Sequence, residues 1–232
     1  MEDWDRRPRP PNPMTGEITW QRYCVQRVAI LAVLCSTAIA FPALANSAMS
    51  FFVTSSGKGN GADLGGLEGA DAHCAALAPG GGLHEVRVEG VSEHHGPRRE
   101  CRRNARGRIA KGEQIARSVD DLHSEGNNLG KQAALIEKGE IVSGRGDAVN
   151  MHDNLTGSDP QGMFSTAGGD TTCGNWTKSG EGSAIVGHHD RNGLKDARPM
   201  KSWNPPHGTA GCSQDALRKA GGDGRFFCFG AE

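Results

Sequence analysis

Apolar residues in this chain fall into short groups separated by glycine-rich polar stretches, and the groups differ in their period. Residues Val28 to Ala45 form one mostly apolar run. Phe51-Phe52-Val53-Thr54 has the size and residue types of a first strand, followed by a turn-forming stretch from Ser55 to Gly61. Leu67, Ala70, Cys74 and Leu77 then recur at helical spacing, which predicts a helix that carries Cys74 on its buried face and stops at Pro79 and Gly80 to Gly82. From Val119 to Ile141 the apolar positions are irregular, consistent with a short helix and loops. Gly144 to Gly169 reads as a long polar loop region, and the final third offers short strands at Ala184 to Gly187, Ser202 to Asn204 and Phe226 to Phe229.

The first apolar run changes the reading of the rest. It follows Arg22 and Arg27 and ends in Pro42-Ala43-Leu44-Ala45, where Ala43 and Ala45 match a small-x-small cleavage site. A signal peptide cleaved after Ala45 is therefore expected. The alternative is an uncleaved membrane anchor, although the run is only marginally long enough to span and contains Ser36, Thr37 and Pro42. Cys35 follows Leu34 rather than a small residue, which argues against a lipoprotein anchor. Residues 1–45 are thus an extension and signal peptide, and 46–232 one domain with no second apolar run of spanning length.

In an exported chain, Cys74, Cys173, Cys212 and Cys228 read as a disulfide framework, for which three connectivities are open. Composition agrees. Gly is abundant at 34 residues, while the single tyrosine (Tyr23) and two of the four tryptophans precede the cleavage site, leaving a loop-rich domain with a thin aromatic core. The formal net charge of −1 supplies no field to attract nucleic acid or an anionic membrane.

The segments Phe51-Phe52-Val53-Thr54-Ser55, Ala62 to Leu67, Gly69 to Cys74, Asp170-Thr171-Thr172-Cys173-Gly174-Asn175-Trp176, Gly187-His188-His189-Asp190-Arg191 and Gly211-Cys212-Ser213 resemble bacterial secreted lectin-like proteins with a C-type-lectin-like fold, the fold also used by endostatin. The resemblance runs from Phe51 to Phe229, with an interruption. It implies an α+β domain with two helices flanking twisted antiparallel strands, adjacent chain ends, long Gly-rich loops, and the pairs Cys74 to Cys228 and Cys173 to Cys212. It further implies an exported carbohydrate-binding module, secreted or periplasmic, with a glycan or cell-surface ligand as partner. A protein-interaction or structural module of the same fold is the alternative.

The interruption is Leu83 to Arg103, which has no periodicity, is dense in charge and carries Cys101. Similar proteins have a strand reading Trp-Arg-Ala-Tyr-Leu-Ser here. Codons permitted for Val88 to Gly96, read one base later, encode that strand. We read 83–103 as a frame-shifted segment restored at Asn104, with a lost strand as the consequence; an ordinary divergent surface loop is the alternative.

Candidate chemistry is sparse. The resemblance implies a ligand site in which loop acids and a Trp-Asn strand serve a sugar, with calcium as the cofactor it brings; Trp203 and Asn204 match that strand, Pro205 stands where an acid would be, and Asp159 lies in a loop only loosely like the sugar-selecting one. Trp176 and Trp203 are the stacking-type aromatics after the cleavage site, and Asn175, Asn204 and Asp159 the polar candidates for the ligand site. Trp203 as core and Asn204 as a turn residue is the competing reading. On a strand, His188 and Asp190 would share a face that His189 does not, but no further ligand spacing supports a metal, and a hydrogen-bonding turn is the simpler explanation. Arg145-Gly146-Asp147 reads as a turn with an exposed salt pair rather than an adhesive tripeptide. Neither a nucleophile elbow nor a phosphate loop nor a zinc-protease helix is found, so an enzyme is not expected.

Overall fold

The structure, a computed structural model, describes residues 49–78, 86–88, 109, 111–165, 168–204 and 206–230. The expected signal peptide with its cleavage after Ala45, and most of 83–103 with Cys101, lie outside the described residues. Those described belong to one compact unit. Among them no helix is long and apolar enough to cross a membrane.

The chain enters through β1 (Phe51–Val53) and turns into α1 (Gly66–Leu77), which buries Ala70 and Cys74 as its apolar spacing requires. The helix ends at Ala78, which is extended because Pro79 disfavours a helical residue before it. A three-residue strand β2 (Val86–Val88) follows, then a single turn α2 (Val119–Leu122) whose N-terminus is capped by Ser118 accepting from the Asp121 amide. Strand β3 (Asp153–Leu155), the turn α3 (Cys173–Trp176) and β4 (Ile185–His188) come next. A 3-10 turn at Pro199–Lys201 leads to β5 (His207–Gly208). Helix α4 (Gln214–Ala220) is capped by Ser213 and ends at Gly221, whose φ of 114° suits glycine alone, before the long closing strand β6 (Gly222–Gly230).

The architecture is mixed α+β. Strands run in the order β1-β6-β3-β4-β5, with β2 also paired to β6. The first and last strands are antiparallel neighbours, Phe52 opposite Cys228. Alternation along them feeds two cores. Phe52, Phe226 and Cys228 face one side with Trp176, Leu64 and Leu217, while Phe51, Val53, Phe227 and Phe229 face the other with Trp203, Ile115 and Leu135. Phe51 meets Phe229 with ring centroids 5.0 Å apart, and Trp203 stands edge-on to Phe227 at 5.2 Å. Two disulfides close the unit, Cys74–Cys228 between α1 and β6 and Cys173–Cys212 across the other end, each with Cα atoms 5.8 Å apart. They fit an oxidising environment.

Four expectations are corrected. The sheet is not wholly antiparallel, because β3 runs parallel to β6. The segment 144–169 is not all loop. Asp153-Asn154-Leu155 has little strand propensity, yet it is paired on both sides, and ladder hydrogen bonds outweigh propensity. Ser202 to Asn204 forms a bend rather than a strand. Finally, 83–103 does not wholly lose its strand, since the backbone of Val86–Val88 pairs with β6 in the register Val88 opposite Cys228. Main-chain groups at a strand edge accept any extended partner irrespective of its side chains.

Candidate functional site

Two polar constellations stand out. The first is built where β3, β4 and β5 lie side by side. Asp153 is the direct cross-strand partner of His188, and Val186 of His207, so residues far apart in sequence converge on one edge of the sheet. The Asp153 side chain is 2% exposed. Its Oδ1 lies 3.2 Å from His152 Nε2 and 3.1 Å from His188 Nε2, and Oδ2 lies 3.6 Å from His207 Nε2. These are ion-pair distances without hydrogen-bond geometry, and both carboxylate oxygens lack a donor. His188 Nε2 is 3.3 Å from His207 Nε2, and the His152 and His188 rings stack at 4.0 Å.

Each imidazole is anchored through its other nitrogen. His152 Nδ1 is 3.2 Å from Asp190 Oδ1, His188 Nδ1 is 3.1 Å from the Met200 carbonyl, and His207 Nδ1 is 3.2 Å from the Gly208 carbonyl. Asp190 also accepts from the Arg145 amide at 2.6 Å and the Asn192 amide at 3.0 Å. Burial opposes its charge, but His152 and these amides together hold its carboxyl well below the usual carboxylate range. His189 faces away from the cluster, toward the Val142 carbonyl at 3.3 Å and Asn154 Nδ2 at 3.2 Å. Burial pushes it down to about 4, against the pull of Asp190.

Strand alternation thus separates His188 from His189 as expected, but Asp190, in the turn after β4, reaches His152 rather than a shared ligand point. Sequence reasoning missed His152, Asp153 and His207. The signals were the adjacent pair in Met151-His152-Asp153-Asn154 and an isolated histidine in a turn, neither of which has a recognisable ligand spacing.

The second constellation is a cleft of about 420 Å³ between the end of α2 and the segment before β5, lined by His123, Glu125, Gln161, Arg198, Lys201 and Trp203 among others. Its charges are matched. Arg198 pairs with Glu125 at 3.3 Å, Lys201 pairs with Asp196, and Arg191 donates to the carbonyls of Lys201, Asn127 and Glu125.

Three of the five expected ligand residues cluster here. Asn204 Nδ2 donates to the Asp159 carbonyl at 2.6 Å, Asn204 Oδ1 accepts from Ser158, and Trp203 lines the cleft. Asp159 Oδ1 accepts from the Gln161 and Met163 amides, shaping the loop. Trp203 itself is 2% exposed, donates Nε1 to the Leu122 carbonyl at 2.8 Å, and has His123 stacked over it at 5.4 Å. Asn175 and Trp176 lie elsewhere, Asn175 exposed with a left-handed φ of 56° and Trp176 fully buried in the disulfide-side core. Asp159 Oδ1 and both ends of the Asn204 amide are engaged in these internal bonds. Asp147 of the Arg-Gly-Asp turn binds Lys131 and the Gly144 amide.

No protein-family model matches the chain, and no curated protein matches it either.

Proposed function

We propose that the chain is an exported binding module with a C-type-lectin-like architecture that takes a neutral, polyhydroxylated ligand of the carbohydrate class in the cleft beside Trp203. The carrying observation is the cleft's lining, whose cations are all matched by carboxylates or carbonyls while His123, Gln161 and Ser202 offer hydrogen-bonding groups. Its volume of about 420 Å³ is of small-ligand size. Adjacent first and last strands, the Cys74–Cys228 and Cys173–Cys212 bonds and two helices longer than one turn support the architecture. Because Trp176 and Trp203 are buried, recognition rests on hydrogen bonds rather than on a stacked sugar face, and it needs no calcium.

A glycan array probed with the full chain, repeated with Gln161→Ala and Arg198→Ala, tests this. Binding to neutral glycans that both variants weaken is expected; an array without signal, or binding indifferent to both changes, rejects it. Leu194, 78% exposed on the segment that borders the cleft, favours a protein partner as the second reading.

A further inference from the structure

We propose that His152, Asp153, His188 and His207 form a four-ligand site for a divalent transition metal of the zinc class. The tautomers carry the argument. Carbonyl and carboxylate oxygens cannot donate, so the contacts of His152 with Asp190, His188 with Met200 and His207 with Gly208 put a hydrogen on every Nδ1. In that tautomer each ring presents its Nε2 to the space around the Asp153 carboxylate. The carboxylate is buried and without a donor to either oxygen. The 3.3 Å contact between the Nε2 atoms of His188 and His207 has room for a single hydrogen, and a cation placed among these groups would replace it and ligate the lone pairs and the carboxylate together.

The spacing fits for His152, Asp153 and His188, whose ligand atoms all lie within 4.8 Å of one another, with His207 at the rim of the group as the ligand that closes on the metal. Metal–ligand bonds of ~2.0–2.2 Å in a tetrahedron set ligand atoms roughly 3.3–3.6 Å apart. The separations here are 3.2 Å for His152 Nε2 to Asp153 Oδ1, 3.1 Å for His188 Nε2 to the same oxygen, 3.3 Å between the Nε2 atoms of His188 and His207, and 3.6 Å from His207 to Oδ2. Loading the site requires the His152 and His188 rings to tilt out of their 12° stack so that their lone pairs meet. Three imidazoles and one carboxylate suit zinc and its neighbours rather than calcium or magnesium, which demand oxygen. Asp190 completes a carboxylate–histidine–metal relay of the kind that orients ligands in such centres.

All four positions come from protein, which makes the site structural rather than catalytic. Its role follows from where the ligands lie. Strand β5 has only two residues, and a metal would staple it to β3 and β4. His207, with a side chain 35% exposed, is the ligand nearest solvent and the gate through which the metal enters.

The test uses the untagged full chain with its disulfides formed, stripped with chelator and titrated with zinc chloride against a chromophoric competitor, with calcium chloride in parallel. One zinc per chain, no competition by calcium and a raised unfolding midpoint are expected. Asp190→Asn should weaken zinc by ~10–100-fold, and His207→Ala by more than that, since it removes a direct ligand. His207→Ala lies at the exposed edge and keeps the fold, so it serves even if Asp153→Asn does not fold. Failure of the folded wild type to bind zinc, or affinity unchanged in His207→Ala, overturns the proposal. Neither result bears on glycan binding, whose cleft shares no residue with these four.

Discussion

Asp153 and His188 face each other across β3 and β4 as a direct strand pair, and the carboxylate sits 3.1 Å from the imidazole Nε2 without a hydrogen bond between them. A buried acid in that position destabilises the metal-free fold, and under the zinc proposal it would stabilise the loaded one.

Asp153→Asn should therefore have opposite effects in the two states. Without metal, removing an unpaired buried charge is expected to leave stability unchanged or raise it by ~1–3 kcal/mol. With zinc present, the variant should lose the increment that the wild type gains. Urea unfolding with chelator and with zinc checks the crossover; parallel behaviour in both conditions would refute it.

Opening the Cys173–Cys212 bond should lower stability by ~2–4 kcal/mol, because a closed loop between residues 39 apart restricts the unfolded chain. A Cys173→Ser, Cys212→Ser double variant measured by denaturant midpoint is the comparison, with the Cys74–Cys228 bond intact as internal control.

Gly187 is where β4 passes closest to the Trp203–Asn204 segment, and a Cβ there would collide with the Trp203 carbonyl. Gly187→Ala is expected to cost roughly 1–3 kcal/mol, as overpacking does. It should also shift tryptophan fluorescence, since the segment it displaces carries Trp203. A variant with wild-type melting and emission would show that the segment yields freely.

Burial lowers the pKa of His123 from its ordinary value, with Asp159 and Asp120 opposing the shift. An unfolded histidine takes up its proton near pH ~6.5, whereas the folded one resists until lower pH. The unfolded state thus binds more protons across that interval, and stability falls as pH drops below ~6.5, levelling off once the folded ring is also protonated. Urea midpoints between neutral and mildly acid pH should decline more steeply in the wild type than in His123→Gln. Equal slopes would remove His123 from the account.

Much of the frame was legible in the chain itself. Phe51 to Thr54, Leu67 to Leu77 and Phe226 to Phe229 carry their period on their face, because a strand or helix with one buried side must repeat its apolar residues. The placing of Cys74 on a buried helix face followed from the same spacing. The site was harder to read. Asp159, Trp203 and Asn204 were singled out and do lie together, yet their side chains are spent inside the protein, a matter of packing that spacing does not encode.

Hydrophobic periodicity, a local property of the chain, marked a first strand, a helix and a last strand, and the cysteines marked a disulfide framework, while the α+β arrangement was what the family resemblance implied. Which polar residues meet was decided only by the tertiary structure. His152 and Asp153 join His188 and His207 because β3 inserts between β6 and β4, and that insertion rests on main-chain pairing, to which the side chains of Asp153-Asn154-Leu155 contribute no pattern. Strand pairing is a contact between distant backbones, so the side chains it gathers at one edge of the sheet leave no periodic trace along the sequence.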